Sequence, residues 1–235
     1  MDTSYPEGMG IQRGTGRTAL VEAAAAILLR GDEVRITDVA AAAGVSHTLI
    51  YRHFPAGGKD ELVAEACALL FRGLADGDFE AFAELTSDPV ISSTFARGPG
   101  SPASRQQPSP EQLAVFRERL VEFEMTLLNP RRTPIRMARL QALLQAQTNP
   151  FVAERVDAVR RALVHDLAAL LQRTFPDLTP ADTTSLSILA QSMPLGVTAI
   201  AGGTISRAQR ANLAAMWADM LISTLARNSP SQQNP

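Results

Sequence analysis

Hydrogen-bonding side chains are concentrated in a short run of the sequence that follows Gly44. The run contains two imidazoles, two hydroxyl groups and one guanidinium, which belong to His47, Thr48, Tyr51, Arg52 and His53. Such groups can contact base edges and phosphate oxygens. Arg52 could reach either one, and a bidentate contact to guanine would give roughly 1–3 kcal/mol of discrimination between bases. The run therefore favours binding of nucleic acid over a covalent reaction.

Side chains that carry catalysis in other proteins are sparse in this sequence. The three histidines, His47, His53 and His165, show no metal-ligand spacing with cysteine or carboxylates. Cys67 is the only cysteine, so no internal disulfide can form. No glycine-rich phosphate loop follows a strand, and no nucleophile elbow is present. We therefore expect a protein that is not an enzyme and that uses no cofactor and no metal ion.

Two short helices joined at a glycine would position the polar run. Thr37 can cap the first of them with its hydroxyl group, and Asp38 would lie in the first turn, where the helix dipole favours a carboxylate. Gly44 can adopt the left-handed conformation that a sharp turn needs. Ser46 can cap the second helix, which we expect over residues 47–53. This pattern predicts a helix-turn-helix, whose second helix enters the DNA major groove.

The residues around this pattern separate it from an ordinary alanine-rich helical hairpin with a glycine turn. The segment from Arg17 to Leu62 resembles the DNA-binding domain of the TetR family of bacterial repressors. The matching positions are the first helix over residues 18–29, Gly31, Ile36, Thr37, Ala43, Gly44, Val45, Ser46, Ile50, Tyr51, His53, Phe54, Lys59 and Leu62. The resemblance implies an all-α fold with an N-terminal three-helix DNA-binding domain and a C-terminal helical domain.

The resemblance also implies roles for individual side chains at the DNA. Tyr51 and His53 correspond to a pair that contacts phosphates, although Tyr51 packing on the first helix and His53 capping the helix end are the structural alternatives. Thr37 and Lys59 would contact the DNA backbone. Such contacts position the protein on the duplex but do not specify the base sequence. Arg17 is a weaker phosphate candidate, and His47 and Thr48 would reach base edges.

Three features depart from the family pattern. Thr48 and Leu49 stand where the family usually has a small residue followed by Thr or Ser, and the side chain of Leu49 cannot donate a hydrogen bond to a phosphate. Residues 55–58 lengthen the step to Lys59, which would displace Lys59 from its customary phosphate position.

Composition predicts helices and a cytoplasmic location. Alanine and leucine dominate, and no period-two run of β-branched residues indicates a strand. The formal net charge is −2, and residues 1–60 contain six Lys and Arg against seven Asp and Glu. Strong nonspecific DNA affinity is therefore not expected, because phosphate neutralisation drives it. The start of the chain lacks a signal-peptide pattern, and no apolar stretch reaches the ~20 residues of a membrane span.

We divide the chain into four parts. These are a flexible arm over residues 1–14, the helix-turn-helix domain over 15–62, a helical effector-binding and dimerisation domain over 63–227, and a flexible tail over 228–235. A fourth helix is expected from Lys59 to about Leu74 and a short helix from Asp78 to Leu85. Residues 87–108 are rich in Pro, Ser and Gly, and their part from 97 to 108 is expected to be a loop.

The C-terminal part carries repeated helix-start signals, at Ser109–Gln112, Thr133–Pro134, Asn149–Pro150, Thr179–Asp182 and Ser206–Gln209. The last two helices, over 180–201 and 206–227, are suited to a four-helix interface between two subunits. They could instead complete the core of one subunit. The resemblance favours a homodimer.

An effector pocket has only weak sequence signals. Deformable methionine and aromatic side chains suit apolar ligands, and the candidates are Phe116, Phe123, Met125, Met137 and Met193. Core packing is the alternative for each of them. Few charges fall on the inward stripes of these helices, so we expect an uncharged or lipophilic effector.

The resemblance implies a ligand-responsive transcriptional regulator. A repressor would bind a palindromic operator in double-stranded DNA as a dimer and be released by a small-molecule effector. The near-neutral N-terminal domain and Leu49 leave open a helical small-molecule-binding protein of the same fold that does not read DNA sequence. An enzyme built on the C-terminal helices is a third hypothesis, but no set of residues supports it.

Overall fold

The computed structural model describes residues 16–89, 91, 109–201 and 205–227. Within these ranges the chain is helical and has no strand, as the composition predicts. The helices are α1 (Gly16–Leu29), α2 (Ile36–Ala43), α3 (Thr48–His53), α4 (Lys59–Ser87), α5 (Pro110–Leu127), a 3₁₀ turn (Pro130–Arg132), α6 (Thr133–Gln145), α7 (Pro150–Thr174), α8 (Pro180–Ala201) and α9 (Arg207–Arg227). The expected arm, the loop over 97–108 and the tail lie outside the described residues.

Side-chain caps begin several C-terminal helices where the sequence signals predict them. At α5, Ser109 Oγ accepts from Gln112 N–H at 3.1 Å, and Gln112 Oε1 accepts from Ser109 N–H at 2.8 Å. The pairs Thr179–Asp182 and Ser206–Gln209 make the same reciprocal bonds at α8 and α9. Asn149 Oδ1 accepts from two backbone N–H groups at the start of α7. Each cap contributes about 1 kcal/mol.

A single helix runs from Lys59 to Ser87, so the prediction of two separate helices in this range is wrong. Gly73 costs about 1 kcal/mol in a helix interior relative to alanine. Burial of Leu70 and Phe71 before the glycine and of Phe82 after it offsets that cost. Tertiary packing therefore keeps α4 continuous across a residue that breaks many helices.

The helices enclose two hydrophobic cores, and two helices pass through both. The first core lies among α1, α2, α3, the first half of α4, α6 and the start of α7. The second lies among the end of α4, α5, the second half of α7, α8 and α9. Along α7, Val152 and Val156 belong to the first core, and Leu167 and Leu171 belong to the second. Helices α4 and α7 therefore connect the two cores.

The surface of α8 is unusually apolar for an exposed helix. By length and composition α8 could cross a membrane, so the expectation that no stretch reaches that length is wrong. Only 17% of its most apolar window is buried, and Ile188, Leu189 and Ile200 are exposed. One such helix is weak evidence for a membrane span, since helices that pack against other protein share this composition. In the single chain this face has no cover among the described residues.

Candidate nucleic-acid interface and ligand cavity

The turn between α2 and α3 is made by Gly44 in the left-handed conformation, with φ 67° and ψ 31°. Its N–H donates to the carbonyls of Ala40 and Ala41, and Val45 N–H donates to Ala40 O at 3.0 Å. A methyl group on Gly44 would have open space around it, so the backbone angle rather than crowding requires glycine here. The turn predicted from the sequence is therefore present.

The two predicted caps of the helix-turn-helix differ from expectation. Helix α2 begins at Ile36 with Arg35 at the N-cap position, and Thr37 makes no cap. The Thr37 hydroxyl instead donates to Asp38 Oδ1 at 3.3 Å. The N-cap therefore lies two positions earlier than predicted, and Ile36, the first residue of the helix, is partly buried against the first core. Ser46 Oγ accepts a long bond of 3.4 Å from Thr48 N–H, and α3 begins at Thr48.

Helix α3 has one buried and one exposed side. Ile50 and the following Phe54 are completely buried in the first core. The opposite side carries four exposed residues from the sequence prediction, His47, Thr48, Tyr51 and Arg52. Arg52 makes no ion pair among the described salt bridges, whereas most nearby cations do. The structure thus brings these four side chains together on a polar surface that a groove could accept.

Leu49 is a packing residue on the inner edge of this surface. It is half-buried, and its Cδ2 lies 3.1 Å from where a Cβ on Gly16 would be. His53 Nε2 lies 3.2 Å from the same point. Leu49 therefore attaches α3 to the start of α1. It has a packing role at a position where the resemblance implies a hydrogen bond to a phosphate.

Arg17 connects α1 to the end of α3 and to α4. Its guanidinium lies 4.4 Å from the centre of the Phe54 ring, and it donates to the carbonyl oxygen of His53. It also donates to Glu65 at 2.7 Å and lies 3.7 Å from Glu61. These partners compensate the charge of Arg17, so in this arrangement it holds the domain together and does not face outward as a free cation.

The lengthened segment before α4 is fixed by two contacts. Glu61 Oε2 accepts from Ala56 N–H at 3.1 Å and from Gly57 N–H at 3.2 Å. Lys59, at the start of α4, lies 3.6 Å from Glu33. That ion pair is exposed and contributes about 0–1 kcal/mol, so a phosphate can replace Glu33 at little cost.

A cavity lies within the second core, between α4, α5, α6, α7, α8 and α9. Its volume is about 70 Å³, and four aromatic rings line it, from Phe79, Phe82, Phe123 and Trp217. Of the five side chains suggested by the sequence, Phe123 alone lines this cavity. Phe116 is buried against Phe175, Met125 and Met193 are half-buried outside the lining, and Met137 is 41% exposed.

Charged residues form part of the cavity wall, unlike the expectation of few inward charges. They are Asp78, Glu124, Arg132, Arg136 and Arg139. Three are arginines at helical spacing, and Glu124 follows Leu120 by four residues on the apolar stripe of α5. These spacings are visible in the sequence and are the signals that would have identified the wall.

Each arginine of the wall has at least one partner, although Arg139 Nε is buried without one among the described residues. Arg132 pairs with Asp78, and Arg139 donates to the carbonyl of Phe71. Arg136 donates to Leu127 O at 2.6 Å and to Thr198 Oγ1 at 2.7 Å. Burial lowers the pKa of Arg139 to about 10, which leaves it charged near pH 7. The wall therefore contains stable positive charge.

Glu124 has no such partner. Its side chain is completely buried, and neither carboxyl oxygen has a hydrogen-bond partner among the described residues. Burial and the negative charge of Asp78 raise the pKa of Glu124 to about 8. Glu124 is therefore mainly a neutral acid at pH 7. The described residues contain no group of three or more His, Cys, Asp or Glu side chains that could hold a metal ion.

Comparisons with known proteins agree with this geometry. A candidate transcriptional regulator from Pseudomonas aeruginosa PAO1, known from a crystal structure, shares the fold with a TM-score of 0.50 and 21% sequence identity. The alignment covers 91% of this chain and 93% of that one. No curated protein matches the sequence. Residues 19–66 match the profile of the family described as bacterial regulatory proteins, tetR family. This match, over the residues that form the helix-turn-helix, identifies the N-terminal part of the chain as the DNA-binding domain of a TetR-family regulator.

Proposed function

We propose that the protein is a transcriptional repressor that binds a palindromic operator as a homodimer and is released when a small-molecule effector enters the cavity. It acts in the cytoplasm by binding DNA and effector, and it catalyses no reaction. The observation that carries the proposal is the geometry of α3. Its apolar side is anchored by Ile50 and Phe54, and its polar side is exposed directly after the turn at Gly44.

Dimerisation is supported by the exposed apolar surface of the last two helices. Ile188, Leu189 and Ile200 on α8 and Met216 on α9 are exposed in the single chain. A second copy would cover the same residues by two-fold symmetry and form a four-helix interface. The two copies of α3 would then address half-sites about 34–36 Å apart.

Release by an effector requires a path from the cavity to α3, and α7 offers one. Leu167 and Leu171 line the cavity near one end of this helix. Near its other end, Phe151 contacts Gly57, and Arg155 lies 3.2 Å from Glu65. With 25 residues, α7 is about 37 Å long at 1.5 Å per residue. A shift of α7 on ligand binding would displace the segment that follows α3.

The direct test is selection of bound sequences from random DNA duplexes by the full-length protein at physiological salt. The proposal expects enrichment of an inverted repeat whose half-sites are separated by one helical turn. Enrichment of an asymmetric site would contradict the dimer, and absence of enrichment would contradict sequence reading.

A helical small-molecule-binding protein without sequence-specific DNA reading is the second candidate. Two observations favour it: Arg17 is engaged by Glu61 and Glu65, and Lys59 is paired with Glu33. Fewer free cations at the interface reduce the phosphate contribution to affinity. The same selection separates the two candidates, because this one expects no enriched sequence.

A further inference from the structure

We propose that the cavity binds a small organic cation, a primary ammonium on a short apolar body, with Glu124 as the carboxylate that receives the charge. The inference rests on the proposed function only in treating the cavity as the effector site. It also replaces the uncharged effector expected from the sequence.

Glu124 is a buried acid that the protein alone does not satisfy. Glu124 belongs to the cavity wall, and both of its buried oxygens are without a hydrogen-bond partner among the described residues. An unpaired buried polar group is costly, and such groups are rare in folded proteins. A ligand that donates hydrogen bonds into the cavity would remove this cost. Once ionised, Glu124 would accept such bonds from a donor. Arg139 Nε and Trp217 Nε1 are also buried without a partner among the described residues, and these two atoms would donate to an acceptor on the same ligand.

The aromatic lining favours a cation over a neutral donor. Phe79, Phe82, Phe123 and Trp217 surround the same space, and the Phe82 and Phe123 rings lie 5.5 Å apart with a 57° tilt. Ring faces attract organic cations, and the attraction increases when the cation is desolvated. A carboxyl group together with several ring faces is the set of groups that an ammonium uses.

Although the wall contains three arginines, the charge that acts on Glu124 is the negative charge of Asp78. Asp78 faces it from α4 and raises its pKa together with burial. Arg132 and Arg139 lie in the same wall, but the first pairs with Asp78 and the second donates to Phe71 O. Arg136 is held by backbone carbonyls and Thr198. The remaining helices, α7, α8 and α9, contribute lining side chains that do not titrate.

Binding of an ammonium at pH 7 has a defined proton balance. The ammonium keeps its proton, Glu124 loses its own to the buffer, and an ion pair forms between the two. Close to one proton should leave per ligand at pH 7, because the pKa of Glu124 is about 8 in the empty cavity. A neutral alcohol would release none.

The free volume limits the size of the ligand. An engineered cavity of about 150 Å³ admits benzene, so the volume of about 70 Å³ found here suits a ligand with roughly half as many atoms. A larger apolar body would have to separate the walls, and α7 is one of them.

The test uses the full-length protein and three matched probes: n-propylammonium, n-propanol and propionate. Trp217 is the only tryptophan and lines the cavity, so its fluorescence reports occupancy directly. At pH 7 we expect saturable binding of propylammonium that is at least tenfold tighter than binding of the other two probes. Equal or tighter binding of propanol or propionate would overturn the inference.

Two further measurements make the role of Glu124 specific. Glu124→Gln should remove the preference for propylammonium, whereas Glu118→Gln, an exposed residue on the same helix, should keep it. In the unmodified protein, calorimetry in two buffers of different ionisation enthalpy should show release of close to one proton, and affinity should rise up to about tenfold per pH unit between pH 6 and 8. Binding without proton release and without pH dependence would contradict the ion pair.

These outcomes are independent of DNA binding. If the duplex selection enriches an inverted repeat and propylammonium does not bind, the ligand class is wrong and the proposed function stands. If propylammonium binds with proton release and no DNA sequence is enriched, the ligand class stands and the repressor does not.

Discussion

The ring of Phe151 lies directly against Gly57, so that a Cβ on this glycine would be 2.9 Å from Phe151 Cζ. The contact joins the first turn of α7 to the segment between α3 and α4. Glu65 reinforces it, because this carboxylate binds Arg155 of α7 and Arg17 of α1 at once. Arg17 in turn holds the last carbonyl of α3, that of His53. The lengthened segment is thus one of the places where the C-terminal helices touch the DNA-reading domain, beside the packing of α6 in the first core.

Gly57→Ala should uncouple these two elements. The added methyl group cannot fit without moving the Phe151 ring or the segment, and overpacking of this kind costs typically 1–3 kcal/mol. We expect a lower free energy of unfolding and weaker binding of the selected operator, measured by urea denaturation and DNA titration. Gly73→Ala is the control, because a methyl group there has open space inside a helix and should stabilise by up to about 1 kcal/mol. Identical effects of the two changes would argue against the contact.

Tyr51→Ala and Arg52→Ala should weaken operator binding without disturbing the fold. Both side chains are exposed on α3, so their removal leaves the first core intact. Loss of a phosphate contact by Arg52 would also reduce the salt dependence of binding by about one charge. Arg161→Ala, an exposed arginine on α7, should bind DNA like the unmodified protein. Unchanged operator affinity at physiological salt in both α3 variants would reject these contacts.

Ile188→Asp should dissociate the proposed dimer. A carboxylate would be desolvated at the centre of an apolar interface, which costs several kcal/mol, and we expect at least about a hundredfold loss of dimer affinity by that magnitude. Analytical ultracentrifugation measures the association. Leu144→Asp is the matched control, since Leu144 is an exposed apolar residue of α6. A dimer that survives Ile188→Asp would place the interface elsewhere.

Glu124 should make stability depend on pH. The pKa of Glu124 is 4.5 in an ordinary environment and about 8 in the fold. Its contribution to the free energy of unfolding is therefore largest below pH 4.5, where the side chain is protonated in both states. This contribution is lost as pH rises from about 4.5 to about 8, and it stays level above. Relative to the Glu124→Gln variant, the free energy of unfolding of the unmodified protein should fall by up to about 1.4 kcal/mol per pH unit in that window. A difference that is constant with pH would show that Glu124 is already ionised.

The local parts of the fold could be predicted from sequence because local chemistry decides them. The capping bonds of Ser109 with Gln112 and of Thr179 with Asp182 each join residues three apart in the sequence. Gly44 supplies a backbone angle that other residues rarely adopt. The exposed residues of α3 follow from helical spacing once the buried Ile50 and Phe54 are known. The family match over residues 19–66 confirms the resemblance drawn from these positions.

Features that depend on distant residues could not be predicted in the same way. Continuity of α4 across Gly73 follows from burial of Phe82 against helices far along the chain. Which residues line the cavity depends on how six helices cross. The choice of methionine and aromatic side chains as candidates included Met137, which is exposed. Glu124 interrupts an apolar stripe, and only the crossing helices show that it remains buried and unpaired.

The most direct test of the proposal that α3 reads DNA is to attach a DNA-cleaving reagent at the start of α3 and to map where it cuts the selected operator. Thr48 is exposed, so Thr48→Cys provides an attachment point for an iron chelate. Cys67 should not react, because it is buried and its pKa is raised to about 12. We predict two cleavage positions in the major groove, related by two-fold symmetry and about 10–10.5 base pairs apart. Cleavage at a single position, or no cleavage above that of the unmodified protein, would contradict insertion of α3 into successive grooves.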